Sequence, residues 1–350
     1  MYFSAPFVAL ACQRWPQYRR HVSCCGLAVM VAGLVAASFC DSIAGLIGTQ
    51  GVMYAFGALW LYFPTMSLIT EWFVQRRGLA FGIMWAGTGV AGSVYPFLLQ
   101  WLLDSYGYRT TLRIWSVVVA VLALPCLYFI KPRLPVTSAS SFRPIEVSFL
   151  KHLQFWIFQA GNIFQSFGYF LPTLYFPSFA SAIGLPSFAG SLAIALFHVA
   201  FIIGAIFIGG LVDRFEVSIA ILTCTIGQVI SVFVFWGLAT SQAMLYIFAL
   251  LFGCFGGAYA CTYSGCANAM QRYEKNGHVD VSVVVALMSA GKGIGAVVSG
   301  PLSEQLLSLD SWKGHAAFAY GSGYGILVVF TGVSATLGGT ALIGRLFRLV

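Results

Sequence analysis

Ten apolar runs divide this chain, at about 23–40, 43–69, 78–103, 111–130, 152–171, 188–212, 217–238, 242–267, 281–307 and 317–343, each bounded by charges or by Pro and Gly turns. Each is near or above the ~20 residues that an α-helix needs to cross a hydrocarbon core. A shorter run over 1–13 begins at the initiator methionine, giving about eleven helices with the first clipped. The expected fold is therefore an all-α, multi-pass membrane protein. Composition agrees, with 59% hydrophobic and only 8% charged residues and a mean hydropathy of +0.88, against roughly 25% charged residues in an ordinary soluble domain.

The basic residues test the span count independently, because Lys and Arg collect in cytoplasmic loops. If the 13–22 loop is cytoplasmic, alternate loops on that side carry Arg14, Arg19, Arg20, Arg76, Arg77, Lys131, Arg133, Arg143, Lys151, Arg214, Arg272, Lys275, Arg345 and Arg348. The opposite face holds Arg109, Arg113 and Lys313, and Lys292 sits inside a span. The net charge of +8 thus reflects topology and attraction to an anionic leaflet. It does not indicate nucleic acid, since no contiguous basic face forms. The nine cysteines fall mostly within spans and show no metal or disulfide spacing. Residues 1–13 lack the basic n-region and small-residue cleavage site of a signal peptide.

Residues 71–96, EWFVQRRGLAFGIMWAGTGVAGSVYP, join a charged hinge of Glu71, Arg76 and Arg77 to an apolar stretch rich in glycine. Gly78, Gly82, Ala86 and Gly89 recur every three or four residues, with Gly92 following. Such a face is nearly free of side chains and lets a second helix approach closely, where van der Waals fit drives association in lipid. Gly291 and Gly295 offer a similar small-residue face in 281–307.

Polar composition rises once, at Lys131–Lys151, which reads as a linker between an N-terminal bundle (1–130) and a C-terminal bundle (152–350). The halves share a faint echo, ALACQRW at 9–15 and GGLVDRF at 209–215. If these loops are equivalent, each follows the second helix of its half, and one helix is missing upstream of Met1.

Two six-helix halves less one helix, a basic central loop and the GGLVDRF turn resemble the major facilitator superfamily. FVQRRGLAFGIMWAGTGVAG (73–92) is similar to the double-arginine fifth-helix motif of the monocarboxylate porter family. SAGKGIGAVVSGPLSEQLL (289–307) and YGSGYGILVVFTGVSATLGG (320–339) resemble the eleventh and twelfth helices of its fungal members. The resemblance implies a carrier that rocks two bundles about a midplane site. It departs from the animal proton-coupled members, which place an acidic and a basic residue in the eighth helix; 188–212 holds no Asp or Arg. Proton-linked lactate or pyruvate transport is therefore without its residues there.

Lys292 lies half way along its span, so near the midplane, where an uncompensated charge costs at least ~3 kcal/mol. Two readings are open: its ammonium attracts a substrate anion, or it snorkels and fixes packing. Gln159, Asn162, Ser166 and Tyr169 recur at steps of three or four as a polar stripe, suited either to a water-filled cavity or to holding helices together. Pro172 and Pro177 are expected to bend that helix at its outer end. Tyr259, Tyr263 and Asn268 could line the path or simply pack, and a lone His198 reads as a packing residue. Opposed charges at Glu71, Arg76 and Arg77, and at Asp213 and Arg214, could lock an inner gate; ordinary positive-inside anchoring is the alternative.

No HExxH, GxSxG, Walker A or His/Cys cluster occurs, so neither an enzyme nor a metal or cofactor is expected. The expected function is secondary-active or facilitative transport of a small organic acid or related metabolite, including efflux of a fungal secondary metabolite. The partners are then a small organic anion and the lipid bilayer, with the plasma membrane or an internal membrane as the location. The competing reading is a carrier-fold sensor or an inactive fragment. A sensor is expected to carry a long soluble tail, and this chain ends at Val350 just after its last span.

Overall fold

A computed structural model gives the fold for residues 1–133, 147–274, 279–309, 313–314 and 316–340, apart from the side chain of Ser187. Most of the 131–151 linker lies outside the described residues, as do Arg143, Lys275, Arg345 and Arg348. Among the described residues every regular element is helical. This follows from the solvent, since backbone polar groups in lipid must be satisfied within the segment.

The helices are α1 (Ala5–Arg14), α2 (Arg19–Ala37), α3 (Ile43–Trp72), α4 and α5 (together Arg77–Phe129), α6 (Leu153–Ala182), α7 (Ser187–Arg214), α8 (Val217–Trp236), α9 (Gln242–Tyr273), α10 (Val281–Ser308) and α11 (Gly325–Leu337). Gly107, at φ 71°, breaks the 53-residue stretch into α4 and α5, a backbone region that glycine enters without the steric penalty of a side chain. Among the described residues seven stretches are long and apolar enough to cross a bilayer, the broken one among them. At 30 residues α6 is equally long, but its amides, tyrosines and prolines dilute its hydropathy. Each apolar run expected from the sequence corresponds to a helix.

Three boundaries differ from expectation, the first being α11, which begins at Gly325 and not near 317, after a 3-10 turn at Phe318–Gly321. Helix α6 continues through Pro172 and Pro177 to Ala182 instead of ending near 171, and α9 continues to Tyr273. Proline is tolerated inside a membrane helix because neighbouring hydroxyls and helices re-satisfy the freed carbonyls. The carbonyls that Pro172 and Pro177 leave without an i+4 amide donor are those of Gly168 and Thr173. Nearby, the Ser181 hydroxyl donates to the Pro177 carbonyl at 3.1 Å and the Thr173 hydroxyl to the Phe170 carbonyl at 3.0 Å.

The chain divides into two compact units built from non-contiguous stretches. The first comprises Met1–Val74, Tyr95–Val147 and Asp280–Ala290; the second comprises Gln75–Val94, Ser148–Val279 and Gly291–Val350.

In the first unit α2 and α3 meet backbone to backbone. A Cβ on Gly26 would stand 2.6 Å from the Leu61 amide nitrogen, and one on Gly57 would stand 2.8 Å from the Gly26 carbonyl oxygen. At the arginine-rich end Glu71 pairs with Arg19, whose Nε also donates to the Cys12 carbonyl at 3.1 Å. The charge partner of Glu71 is thus Arg19, not its sequence neighbours Arg76 and Arg77. Arg19 is 7% exposed, so Glu71→Gln should destabilise the protein by about 3 kcal/mol, the usual penalty for leaving a buried charge uncompensated. Replacing both residues with apolar ones should recover most of that loss, as measured by thermal unfolding in detergent.

The core of the second unit is aromatic. Phe176, Phe179, Trp236, Phe248 and Phe252 are fully buried together, with the Trp236 and Phe248 rings stacked at 5.0 Å. These residues come from α6, α8 and α9 and fix the helices that carry the polar residues described next.

Candidate functional site

The glycine face of α4 lies against α7 within the second unit. A Cβ on Gly78 would stand 2.5 Å from the Gly209 carbonyl oxygen. One on Gly82 would press on the Ala205 carbonyl oxygen, and one on Gly89 would stand 2.8 Å from the His198 carbonyl oxygen. Gly92 lies under the His198 imidazole, whose Nδ1 is 2.9 Å from the Ile194 carbonyl oxygen. His198 therefore fills the end of the seam.

Helix α4 starts at Arg77, leaving its first amides without intrahelical acceptors. The Gly78 and Leu79 N–H groups donate to the two carboxylate oxygens of Asp213, each at 2.7 Å. A carboxylate at a helix N-terminus also meets the positive end of the helix dipole. Asp213 thus ties the end of α7 to the start of α4. Arg77, 8% exposed, donates to Asn268 at 2.7 Å and to Gln271 at 3.0 Å on α9. Arg76 and Arg214 line a cavity of about 740 Å³ beside Asp213. A second cavity, of about 340 Å³, is lined by Gln154, Asn268 and Arg272.

Deeper in the second unit, α10 packs on the polar stripe of α6. A Cβ on Gly295 would stand 2.5 Å from the Ser166 carbonyl oxygen, and Gly291 faces the amide groups of Gln159 and Asn162. The Tyr263 hydroxyl donates to the Asn162 side-chain oxygen at 2.7 Å, and the Ser166 hydroxyl donates to the Asn162 carbonyl at 2.6 Å. In this conformation the Tyr263–Asn162 bond joins α9 to α6, the Ser166 hydroxyl bonds back to its own helix, and Gly291 and Gly295 let α10 pack on the same face.

Lys292 is 5% exposed, and among the described residues no carboxylate pairs with it. Its Nζ lies 4.0 Å from the Tyr169 ring centroid, 5.9 Å from that of Phe170 and 6.0 Å from that of Trp85. Ring faces attract a cation by about 0.5–2 kcal/mol each, which offsets only part of the desolvation of a buried ammonium. The site therefore sets an ammonium that has no carboxylate partner among the described residues against π-faces, an arrangement able to receive an anion.

Lys292, Gln159, Asn162, Ser166, Tyr169 and Tyr263 thus occupy one neighbourhood. Glu71 does not belong to it, and Asp213, Arg77, Arg76 and Arg214 form a separate group at the arginine-rich end. Trp85, Phe170 and Gln271 carry no sequence signal, because aromatic residues and amides in spans are usually packing.

A profile of the Major Facilitator Superfamily matches residues 1–279. The chain is 25% identical over 300 residues to the MFS-type transporter pynF of Aspergillus niger, covering 84% of this chain and 67% of that protein. It is 25% identical over 321 residues to the fujikurins efflux protein of Gibberella fujikuroi, covering 90% and 64%. It is 27% identical over 304 residues to monocarboxylate transporter 10 of Danio rerio, covering 81% and 58%. The chain thus spans about three-fifths to two-thirds of the length of these relatives. A crystal structure of the Escherichia coli fucose:proton symporter matches with a TM-score of 0.66 at 13% identity, over 96% of this chain and 87% of that one, a likeness of fold alone. The membrane-spanning helices, the profile match and these relatives lead to one assignment: the chain belongs to the major facilitator superfamily, whose members are multi-pass membrane transporters and not enzymes.

Proposed function

We propose that this chain is a carrier for a small organic acid or an acidic secondary metabolite, moving it outward across the plasma membrane by alternating access. The observation that carries this reading is Lys292, a buried ammonium without a carboxylate partner among the described residues, in a family that transports small molecules. Intramembrane charges of this kind usually mark a substrate or ion pathway. Export is favoured over uptake because relatives across most of the chain carry the names of efflux proteins.

In this reading the bundles of residues 1–130 and 152–350 move about the site, joined by the 131–151 linker. The Asp213 carboxylate on the first turn of α4 and the Arg77 bonds to α9 form the inner gate and must break for the arginine-rich end to open. Gln159, Asn162, Ser166 and Tyr263 exchange their bonds within the protein for bonds to substrate or water when the cavity forms. The amide and hydroxyl pairs are worth about 0.6–2 kcal/mol each, a cost that substrate binding can offset.

Metabolite profiling tests this directly. Internal and external pools of organic acids and secondary metabolites should be compared in cells with and without the gene, and one acidic compound should accumulate inside the deletion strain. Reintroduced Lys292→Ala protein should reach the membrane yet leave export of that compound reduced at least tenfold, since truncating one partner of a buried charge contact costs 2–5 kcal/mol. Unchanged pools, or full rescue by the Ala variant, would defeat the export reading or the lysine assignment respectively.

A further inference from the structure

We propose that the site selects a planar, conjugated monoanion without an ammonium group, such as an aromatic or cinnamic carboxylate or a ring-delocalised enolate. This rests on the reading of Lys292 as the substrate anchor. Three rings from two helices surround its ammonium: Tyr169 and Phe170 from α6 and Trp85 from α4. The Tyr169 ring is itself held, stacked on Phe252 at 6.3 Å and tilted against Phe197 at 6.4 Å. It is a fixed platform that does not fold away when the ammonium leaves it.

An anion drawing Nζ off the Tyr169 face removes a favourable cation–π contact. A saturated carboxylate replaces it with nothing that prefers a ring. A planar conjugated anion places its charged oxygens on Nζ and its own π-system against the vacated ring, restoring an aromatic contact of offset or edge geometry. Discrimination therefore arises from what the ligand returns to the rings.

A zwitterion is disfavoured by the same surroundings. Among the described residues of the second unit, the carboxylates are Asp213, Glu216, Glu274 and Glu304. The first two lie at or beyond the end of α7 and the third beyond α9. Glu304 lies on α10 itself, twelve positions from Lys292, about 18 Å along a helix axis at 1.5 Å per residue. Among the described residues of the second unit, an amino acid bound through its carboxylate at Lys292 would find no carboxylate beside it to balance its ammonium.

The test uses the full chain reconstituted in phosphatidylcholine nanodiscs, with equilibrium binding of three probes at pH 7.4. Cinnamate and 3-cyclohexylpropionate have the same carbon count and charge but differ in planarity. Phenylalanine keeps the ring and the carbon count, adds the ammonium and has a saturated chain, so its ammonium is judged against 3-cyclohexylpropionate as well as cinnamate. Cinnamate should bind at least tenfold more tightly than either of the others, or about 1.4 kcal/mol. Tyr169→Leu should erase the preference over 3-cyclohexylpropionate while Tyr169→Phe keeps it, a pair that separates loss of the ring from loss of the fold. Equal binding of the two carboxylates, both lost in Lys292→Met, would overturn planar selection and leave the anchor reading standing. Phenylalanine binding as tightly as cinnamate would overturn the exclusion of zwitterions. Binding indifferent to Lys292→Met, or no binding of any probe, would overturn the anchor reading and the selectivity with it.

Discussion

Gly82→Ala should lower the thermal unfolding midpoint of the purified protein, while Gly87→Ala, five positions along the same helix, should leave it unchanged or raise it slightly. The chemical change is identical, one methyl group, and only the surroundings differ. At Gly82 the new carbon would press on the Ala205 carbonyl oxygen, a backbone atom of α7 that cannot rotate away. Relief requires α4 and α7 to separate, and overpacking of this kind typically costs 1–3 kcal/mol. At Gly87 a Cβ meets nothing within 4 Å, and alanine is the better helix former by up to ~1 kcal/mol. Intrinsic fluorescence during heating in detergent reads both variants. Equal midpoints for the two would mean that the close α4–α7 approach contributes nothing to stability.

That seam also shows where sequence and structure part company. The spacing of Gly78, Gly82 and Gly89 is a local pattern, and a bilayer imposes its ~20-residue span on every crossing; both can be read directly. The partner of the seam cannot, because Ala205 and Gly209 look like any small residues in an apolar span. Likewise nothing in the sequence singles out the Gly26–Gly57 approach, since α2 also carries Gly33 and α3 also carries Gly45, Gly48 and Gly51.

Charges mislead in a different way. Glu71 stands five and six positions from Arg76 and Arg77, yet its partner is Arg19, brought close by the packing of α1, α2 and α3. Arg77 donates to the amides of Asn268 and Gln271 on α9, residues that its place in the sequence does not indicate. Lys292 stands out because an intramembrane charge is costly wherever the chain takes it, and Tyr169 falls on the polar stripe of α6. Trp85 and Phe170 complete the ring shell without any signal, since 16% of the chain is aromatic. Asp213 reads from sequence as one half of a charge pair. Its partners are the amide hydrogens of Gly78 and Leu79, donors that every residue except proline carries and that no letter of the sequence distinguishes.

Asp213→Ala should accordingly speed hydrogen exchange at the first turn of α4 and leave the rest of that helix protected. The carboxylate satisfies two N–H groups that have no intrahelical acceptor, and it adds a charge at the positive end of the dipole. Removing a helix cap costs about 0.5–2 kcal/mol, which corresponds to roughly a twofold to thirtyfold faster exchange for peptides covering 77–82. Asp213→Asn separates the two contributions, because its amide retains one acceptor oxygen and loses the charge, so its effect should fall between wild type and Ala. If the cap also holds the inner gate, Asp213→Ala should increase labelling of Cys266, 1% exposed on α9, by a membrane-impermeant maleimide added from the arginine-rich side. Faster exchange with no gain in Cys266 labelling would leave Asp213 as a helix cap without a gating role. Unchanged exchange in both variants would mean that water replaces the carboxylate at no cost, and that the start of α4 is held by Arg77 and its bonds to Asn268 and Gln271 instead.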